Sequence, residues 1–409
     1  MIEVKQKPKM QLSEKVCEIP EALSVYMNNI VYKMRRRGDD IRVLSLGEAY
    51  FDIPMFSFEN IDFVKGYHYS ESRGMPELRE TICAYYHDKY KSNIDSSNEI
   101  LISAGSKPLI YMAFQAVLNE GDEVLIHEPA WLSYPEEIKL ANGKPVFIPY
   151  YKKVDEFEEY FTDNTKMVVI CNPNNPAGRN YSREELIHLY SICRPRGIYI
   201  LVDEAYSEFV LSNEFVSMAN VVPDKDGVII VNSLSKNFGI SGWRIGYVIS
   251  NEKVIYNILK LNQHLITCPT TLISLYLVRY FDDLIKITTP QIKEVVIKRN
   301  EVVKYIESLA IKCLDGNSTF YIFMNIGDYK YSSLELGLYL LMKYKISVVP
   351  GQAYGKSTER FIRISVGTES IELIKNSIDI IKKVIESNEY DEKFVNEELE
   401  KLQIKIFES

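Results

Sequence analysis

The chain has 409 residues, of which 46% are hydrophobic and 25% are charged, so its composition is that of a globular protein and not of a disordered or fibrous one. Its 48 basic and 56 acidic side chains give a formal net charge of −8, which argues against a broad nucleic-acid-binding surface. The first twenty residues lack an apolar core, and no apolar run is long enough to span a bilayer. We therefore expect a cytoplasmic protein that binds neither nucleic acid nor membrane.

The cysteines and histidines do not suggest a metal or disulfide framework. The six cysteines are scattered without a C-x-x-C pair, and the five histidines occur singly. This pattern is typical of reduced, structural thiols, and it predicts no metal site. A Ser-His-Asp mechanism has no support in the sequence either.

Short β-branched runs alternate with helical patterns between residues 97 and 250, which predicts a mostly parallel sheet covered by helices. One helical stretch begins with Ser182 and has Glu185 three residues later, the pattern of a capping box. The strands are predicted at residues 99–103, 123–127, 166–172, 198–204, 227–233 and 244–250.

Long helical patterns replace this alternation after about residue 251, which indicates a second domain. We expect residues 46–280 to form a large domain and residues 281–409 a small C-terminal one. The segment 1–45 is too short to fold alone and is expected to pack on the small domain. Residues 387–409 carry apolar side chains at helical spacing, which predicts an additional amphipathic surface helix.

The clearest chemical signal lies between residues 232 and 246. Lys236 is accompanied there by the hydroxyls of Ser233 and Ser235, by the fixed cation of Arg244 and by three glycines. Hydroxyls and a guanidinium are the groups that hold a phosphate close to a lysine amine. A lysine beside a phosphate-bearing aldehyde is a Schiff-base lysine.

This stretch resembles the pyridoxal-phosphate lysine signature of the class I and II aminotransferases, S-x-S-K followed by G-x-R-x-G. The resemblance extends from about Leu46 to Gly367, with the motifs in the family's order. It implies an α/β protein of fold type I, in which a large domain with a mostly parallel seven-stranded sheet binds pyridoxal 5'-phosphate and a smaller α/β domain accompanies it. It also implies cofactor contacts from Ser233, Ser235, Lys236 and Arg244, with Lys236 catalytic.

Asp203 ends a predicted strand in V-D-E-A-Y, where a parallel sheet places its ligands. It resembles the family's aspartate that pairs with the pyridine nitrogen. A carboxylate there keeps the nitrogen protonated, and this makes the cofactor a better electron sink. Tyr206 resembles the tyrosine that hydrogen-bonds the phenolic oxygen of the ring, and both residues are expected to be catalytic. Asn175, in the turn N-P-N-N-P-A-G, matches a second partner of that oxygen, although Ala177 replaces the usual threonine.

Ser106 and Lys107 follow a predicted strand and open a helix, whose backbone amides can receive a phosphate. By resemblance they occupy the phosphate-binding positions, and Trp131 matches the aromatic residue that stacks on the cofactor ring. Tyr69, five residues before Gly74, matches the tyrosine that reaches the phosphate of the neighbouring subunit. The resemblance therefore implies a homodimer with shared active sites.

Arg363 lies at the centre of the strand R-F-I-R-I-S and matches the arginine that binds the substrate α-carboxylate bidentately. Gly47 matches a backbone position near the same carboxylate, and Asn175 is expected to orient the substrate. The G-E-P-D-F segment of relatives differs here, because Ala49 and Tyr50 replace proline and aspartate.

The resemblance implies an aminotransferase that moves an amino group from an L-amino acid to a 2-oxo acid with ping-pong kinetics. A β-eliminating lyase of the C–S lyase type on the same fold is the alternative, and a nicotinamide dehydrogenase lacks its G-x-G-x-x-G fingerprint. The substrate stays open. Lys107 lies where some bacterial aspartate aminotransferases carry a lysine for the distal carboxylate, whereas Tyr50 and Phe51 favour aromatic or broad specificity.

Overall fold

The computed structural model describes residues 11–211 and 215–407. Strands and helices are numbered in chain order. The strands are β1 (Arg42–Val43), β2 (Ile100–Ser103), β3 (Glu123–His127), β4 (Lys144–Ile148), β5 (Thr165–Cys171), β6 (Tyr199–Asp203), β7 (Val228–Ser233), β8 (Gly246–Ser250), β9 (Tyr321–Asn325), β10 (Ile346–Ser347), β11 (Val349–Pro350) and β12 (Phe361–Ser365).

The helices are α1 (Glu14–Cys17), α2 (Leu23–Arg37), α3 (Phe63–Gly66), α4 (Pro76–Tyr90), α5 (Ser106–Val117), α6 (Tyr134–Leu140), α7 (Arg183–Cys193), α8 (Met218–Val221), α9 (Leu234–Asn237), α10 (Glu252–Leu265), α11 (Thr271–Ser308), α12 (Ser333–Tyr344), α13 (Ile371–Ser387) and α14 (Glu392–Lys401). Short 3-10 turns lie at Phe58–Asn60, Val154–Tyr160, Arg194–Arg196, Ser241–Trp243, Gly351–Tyr354 and Lys356–Thr358.

Seven strands form the large sheet, in the order β2-β8-β7-β6-β5-β3-β4. The pairs among β3, β4, β5, β6 and β7 are parallel, and β8 runs antiparallel to both of its neighbours. The predicted α/β architecture with a mostly parallel seven-stranded sheet is confirmed. All six predicted strands are present within one or two residues, and β4, at the edge of the sheet, was not predicted.

Both faces of this sheet are covered, which explains why its inner strands are apolar throughout. The buried side chains of α5, α6 and α10 pack on one face, and those of α4, α7, α8 and α11 pack on the other. Helix α7 begins with the predicted capping box, in which Ser182 and Glu185 each accept the other's backbone N–H. Because the helices alternate along the chain with parallel strands, the carboxyl ends of β5, β6 and β7 meet at one edge.

The remaining strands form two small sheets, the antiparallel β11-β12-β9 and the parallel pair β1-β10. Buried residues of α2 lie in the same hydrophobic core as those of β9, α12 and α13. Helix α11 runs without interruption across residue 280. Its first half packs on the large sheet, with Tyr276 and Leu284 buried, and its second half packs on the small domain through Val296 and Ile306. The domain limits at 45 and 280 stay a prediction, and the second lies inside this helix.

The C-terminal tail contains the amphipathic helix α14, whose Val395 and Leu399 are buried. Beyond it, the Lys405 carbonyl accepts a hydrogen bond of 3.0 Å from Tyr26 Oη, and the Phe407 ring lies 5.1 Å from the Tyr26 ring. The tail therefore packs on α2. Among the helices of residues 11–211 and 215–407, none combines the length and the apolar character needed to cross a membrane.

Candidate active site

A cavity of about 270 Å³ lies at the carboxyl ends of the central strands, between the large sheet and the small domain. Every predicted site residue except Tyr69 lines it. These residues are Gly47, Ser106, Lys107, Trp131, Asn175, Asp203, Tyr206, Ser233, Ser235, Lys236, Arg244 and Arg363.

Lys236 lies on α9, the short helix that directly follows β7. Ser233 caps this helix, since its Oγ accepts a 3.1 Å hydrogen bond from the Ser235 backbone N–H. The Lys236 Nζ donates to the carbonyl of Gly47, which lies between β1 and the 3-10 turn Phe58–Asn60. Burial in the cavity lowers the pKa of Lys236 to about 8. A sizeable fraction of this amine is therefore neutral near physiological pH, as a nucleophile and general base must be.

Positive groups converge at one end of the cavity. Arg244 adopts a left-handed backbone conformation with φ of 56°, and its Nη1 lies 3.4 Å from Ser235 Oγ. Helix α5 begins at Ser106, directly after Gly105, whose φ is +96°. A Cβ at Gly105 would lie 2.6 Å from Arg244 Nη2, so only glycine lets the guanidinium approach this helix N-terminus. The arrangement suits an anion such as phosphate.

Asp203 ends β6, lines the cavity and is buried. Its Oδ2 accepts a 2.7 Å hydrogen bond from Tyr134 Oη, and its Oδ1 accepts one of 3.1 Å from the Ala205 N–H. Burial raises the pKa of this carboxyl, and the two hydrogen bonds oppose the rise. The sequence analysis did not single out Tyr134; its only signal is its place three residues after Trp131.

Trp131 lies beside Lys107, whose Nζ is 4.8 Å from the centroid of the indole ring. This distance is within the range of a cation–π contact. The two side chains reach the cavity from different elements, since Lys107 is on α5 and Trp131 is in the loop before α6.

A chain of hydrogen bonds joins the predicted substrate arginine to the large domain. Arg363 Nη1 donates to Asn175 Oδ1 over 3.3 Å, and Asn175 Nδ2 donates to Tyr206 Oη, also over 3.3 Å. Arg363 Nη2 donates to the Ser45 carbonyl over 2.7 Å, and the guanidinium carbon lies 4.3 Å from the centroid of the Tyr321 ring. Arg363 Nε is buried and has no hydrogen-bond partner within the part of the chain that the structure describes. Sequence reasoning missed Ser45 and Tyr321.

Tyr69 is the predicted site residue that this chain does not bring to its own cavity. It precedes α4 in a surface loop, and its side chain is 86% exposed. Val64 and Tyr67, close to it in the chain, are also exposed.

Comparison with known proteins identifies the family. The family model described as aminotransferase class I and II matches residues 60–381. The chain belongs to the class I and II aminotransferases. It is a pyridoxal-phosphate-dependent aminotransferase of fold type I, as its sequence motifs predict. The alternative of a β-eliminating lyase is not supported, because relatives about 30% identical are named aspartate and aromatic-amino-acid aminotransferases.

The relatives of this aminotransferase are similar along most of its length. The aspartate aminotransferase of Pyrococcus horikoshii is 32% identical over 87% of this chain and 93% of its own. Aromatic-amino-acid aminotransferase 2 of Thermococcus litoralis is 31% identical over 84% of this chain and 91% of its own. The structure of the Thermus thermophilus aspartate aminotransferase with maleate has a TM-score of 0.83 at 25% identity, and the match covers 92% of this chain and all of that one.

The residues that line the cavity fit pyridoxal phosphate. Arg244 and the amides at the start of α5 suit the phosphate, and the close approach at Gly105 leaves no room for a side chain between them. The buried carboxylate of Asp203 suits a protonated pyridine nitrogen, and the indole of Trp131 offers a flat face to a ring. The amine of Lys236 lines the same cavity.

Proposed function

We propose that this aminotransferase transfers the amino group of an L-amino acid to a 2-oxo acid in two half-reactions at this cavity, with Lys236 as the group that moves protons. The observation that carries the proposal is that Lys236 and Arg363 line the same cavity. The pKa of Lys236 is lowered to about 8, and Arg363 is hydrogen-bonded to Asn175. One group serves acid–base chemistry, and the other binds a carboxylate.

Bound pyridoxal phosphate supplies an aldehyde that links to amines and a ring that withdraws electrons from the substrate Cα. Arg363 binds the α-carboxylate and thereby orients the Cα–H bond towards the lysine. Lys236 Nζ lines the same cavity as Arg363, so its amine would serve as the base that takes the Cα proton and as the acid that gives it back. With the cofactor bound, Asp203 would hold the proton on its ring nitrogen, and Tyr206 and Asn175 would donate to its phenolic oxygen.

We infer an acidic amino acid, aspartate or glutamate, as donor. Lys107 brings a cation into the cavity within 4.8 Å of the Trp131 ring centroid, and a cation suits a distal carboxylate. Relatives are named for aspartate and for aromatic substrates. The aromatic residues that favoured the second class, Tyr50 and Phe51, do not line the cavity; Tyr50 is exposed and Phe51 packs on Phe209.

The proposal includes a homodimer in which Tyr69 of each subunit serves its partner's site. The exposed position of Tyr69 outside its own cavity supports this. Mixed dimers test it: a Tyr69→Phe subunit paired with a Lys236→Ala subunit should contain one doubly defective and one intact site, and so be more active than either parent. We also propose a cytoplasmic location, which the six free cysteines support.

The absorption spectrum of the purified holoenzyme tests the reaction. Single L-amino acids are added without any oxo acid, with Lys236→Ala as control. Loss of the yellow band with aspartate or glutamate supports transamination and names the donor. A band that no amino acid bleaches contradicts it, as do initial-rate plots that intersect instead of running parallel.

A further inference from the structure

A buried carboxylate joins the large domain to the small one beside the active site. Glu128 directly follows β3 and is only 3% exposed. Its Oε1 accepts a 2.7 Å hydrogen bond from the Lys356 backbone N–H. Its Oε2 accepts one of 3.0 Å from the Ser357 backbone N–H and another from the Ser357 hydroxyl. All three donors belong to the segment between β11 and β12.

The backbone of that segment is shaped around the carboxylate. Gly355 has φ of +138°, and a Cβ there would lie 2.2 Å from Glu128 Oε1, so a side chain at this position would displace the acid. A second hydrogen bond joins the same two segments: the N–H of Ala130, two residues after Glu128, donates to the Tyr354 carbonyl over 2.9 Å. The two segments are thus bonded at successive positions.

Each segment carries part of the active site. Glu128 lies three residues before Trp131, which lines the cavity on the large-domain side. On the small-domain side, the ring of Tyr354 lies 5.4 Å from the guanidinium carbon of Arg363. The hydrogen bonds of Glu128 therefore connect the backbone next to the indole to the segment that carries Tyr354, whose ring contacts the arginine.

We propose that Glu128 is a positioning residue that sets the distance between the cofactor-binding face at Trp131 and the carboxylate-binding group at Arg363. The inference rests on the roles proposed above for these two residues. The chemistry requires a carboxylate, because three donors converge on it and a carboxylate only accepts. A glutamine would direct an NH2 group at some of those donors and break the link without changing the volume of the side chain.

Glu128→Gln tests the proposal, with Glu123→Gln as the matched control. Glu123 begins the same strand, is 7% exposed, and accepts hydrogen bonds from Lys144 Nζ at 2.8 Å and from Thr162 Oγ1 at 2.7 Å. Lys144 and Thr162 both belong to the large domain, so these bonds do not join the two domains. The two variants thus remove similar bonds at opposite ends of β3.

The readouts are KM and kcat with L-aspartate and with L-phenylalanine as donors, the circular dichroism of the bound cofactor and the unfolding midpoint of the holoenzymes. Glu128→Gln should raise the KM of the reacting donor on the order of tenfold, lower kcat less, and change the cofactor's dichroic band. Glu123→Gln should change KM and the dichroic band by less than about twofold, whatever its loss of stability. Wild-type KM and dichroism in a folded Glu128→Gln enzyme would overturn the proposal.

Ser357→Ala keeps the test decisive if Glu128→Gln does not fold. It removes one of the three hydrogen bonds to Glu128, together with the 3.3 Å bond that Ser357 Oγ accepts from the Tyr150 N–H. The two backbone donors to Glu128 stay, so the variant should raise KM and change the dichroic band in the same direction but less. A Ser357→Ala enzyme with wild-type values would overturn the proposal. Arg363→Lys is measured in parallel: an unchanged KM there contradicts the assignment of Arg363, and so the proposed function, independently of Glu128.

Discussion

Tyr134 donates its phenolic hydrogen to Asp203 Oδ2 over 2.7 Å, and both side chains are buried. Burial raises the pKa of the Asp203 carboxyl, whereas a hydrogen bond to the ionised form lowers it. A neutral donor thus stabilises the charge that the pyridine nitrogen of the cofactor requires. The tyrosine adds no opposite charge that would compete with the ring for the aspartate.

We expect Tyr134→Phe to weaken cofactor binding on the order of tenfold, because it removes one hydrogen bond to a charged group. The pKa of Asp203 rises further when the donor is removed. Because the carboxylate binds the ring nitrogen only when ionised, the loss of affinity on acidification should then begin at a higher pH. Titration of the cofactor-free protein with pyridoxal phosphate across pH measures both effects.

Tyr181→Phe is the control for this prediction. Tyr181 is also buried and also hydrogen-bonded, to His127 Nδ1 at 2.6 Å, but neither residue lines the cavity. Its substitution should leave the pH dependence of cofactor binding unchanged. If the two variants behave alike, the hydrogen bond to Asp203 does not tune the site.

The uptake of cofactor by the cofactor-free protein should accelerate as pH rises, with a midpoint near 8. Only the neutral amine attacks an aldehyde, and burial lowers the pKa of Lys236 to about 8. Stopped-flow absorbance gives the rate, and borohydride reduction followed by peptide mapping locates the adduct. The adduct should disappear in Lys236→Ala and persist in Lys107→Ala, which removes the other predicted lysine of the cavity. A midpoint above pH 10 would show that the amine keeps its ordinary pKa.

The large sheet could be predicted because its inner strands are buried on both faces and therefore read as short apolar runs. The strand β4 escaped this rule, since it lies at the sheet edge and opens with Lys144 and Pro145, of which Lys144 is exposed. Long helical patterns were predicted after about residue 251, but not that a single helix, α11, spans residues 271–308. Pro290 is typical of a first helical turn, yet the helix continues through it, with Leu284 and Ile292 buried on either side.

The site could be predicted where a local motif carries it, as around Lys236 and Asn175. The partners that orient those residues could not, because they come from distant elements. Tyr321 lies on β9 and meets Tyr206 at the end of the large sheet, with 3.1 Å between their hydroxyl oxygens. Glu128 likewise meets a segment more than two hundred residues away. No local sequence motif predicts the partner of Tyr321 or of Glu128, because these contacts depend on how the domains pack.

Arg363→Lys should lower kcat/KM roughly tenfold or more, mainly through KM, for every amino acid that the enzyme accepts. A lysine cannot bind a carboxylate with two parallel N–H groups, and it cannot keep the contacts to both Asn175 and Ser45. Arg360→Lys is the matched control, three residues earlier on the same segment. Within the described residues its guanidinium hydrogen-bonds backbone carbonyls of the segment 327–331, among them Gly327 at 2.6 Å, and it does not line the cavity, so KM should stay within about twofold. Equal losses in the two variants would point to damage of the strand and not to lost carboxylate binding.

The identity of the substrate depends most directly on Lys107. If its amine receives a distal carboxylate, Lys107→Ala should raise the KM for aspartate and glutamate on the order of tenfold and spare phenylalanine, whose side chain has no charge to lose. Lys107 also lies near the phosphate end of the cavity, directly after Ser106, so the variant could weaken cofactor binding instead. That effect would act on all donors equally. Steady-state kinetics at saturating pyridoxal phosphate, with aspartate and phenylalanine measured on the same preparation, separates the two effects. A rise in KM for the acidic donor alone supports an aspartate or glutamate aminotransferase. Equal changes for both donors refute the dicarboxylate assignment and leave Lys107 as a phosphate-binding residue.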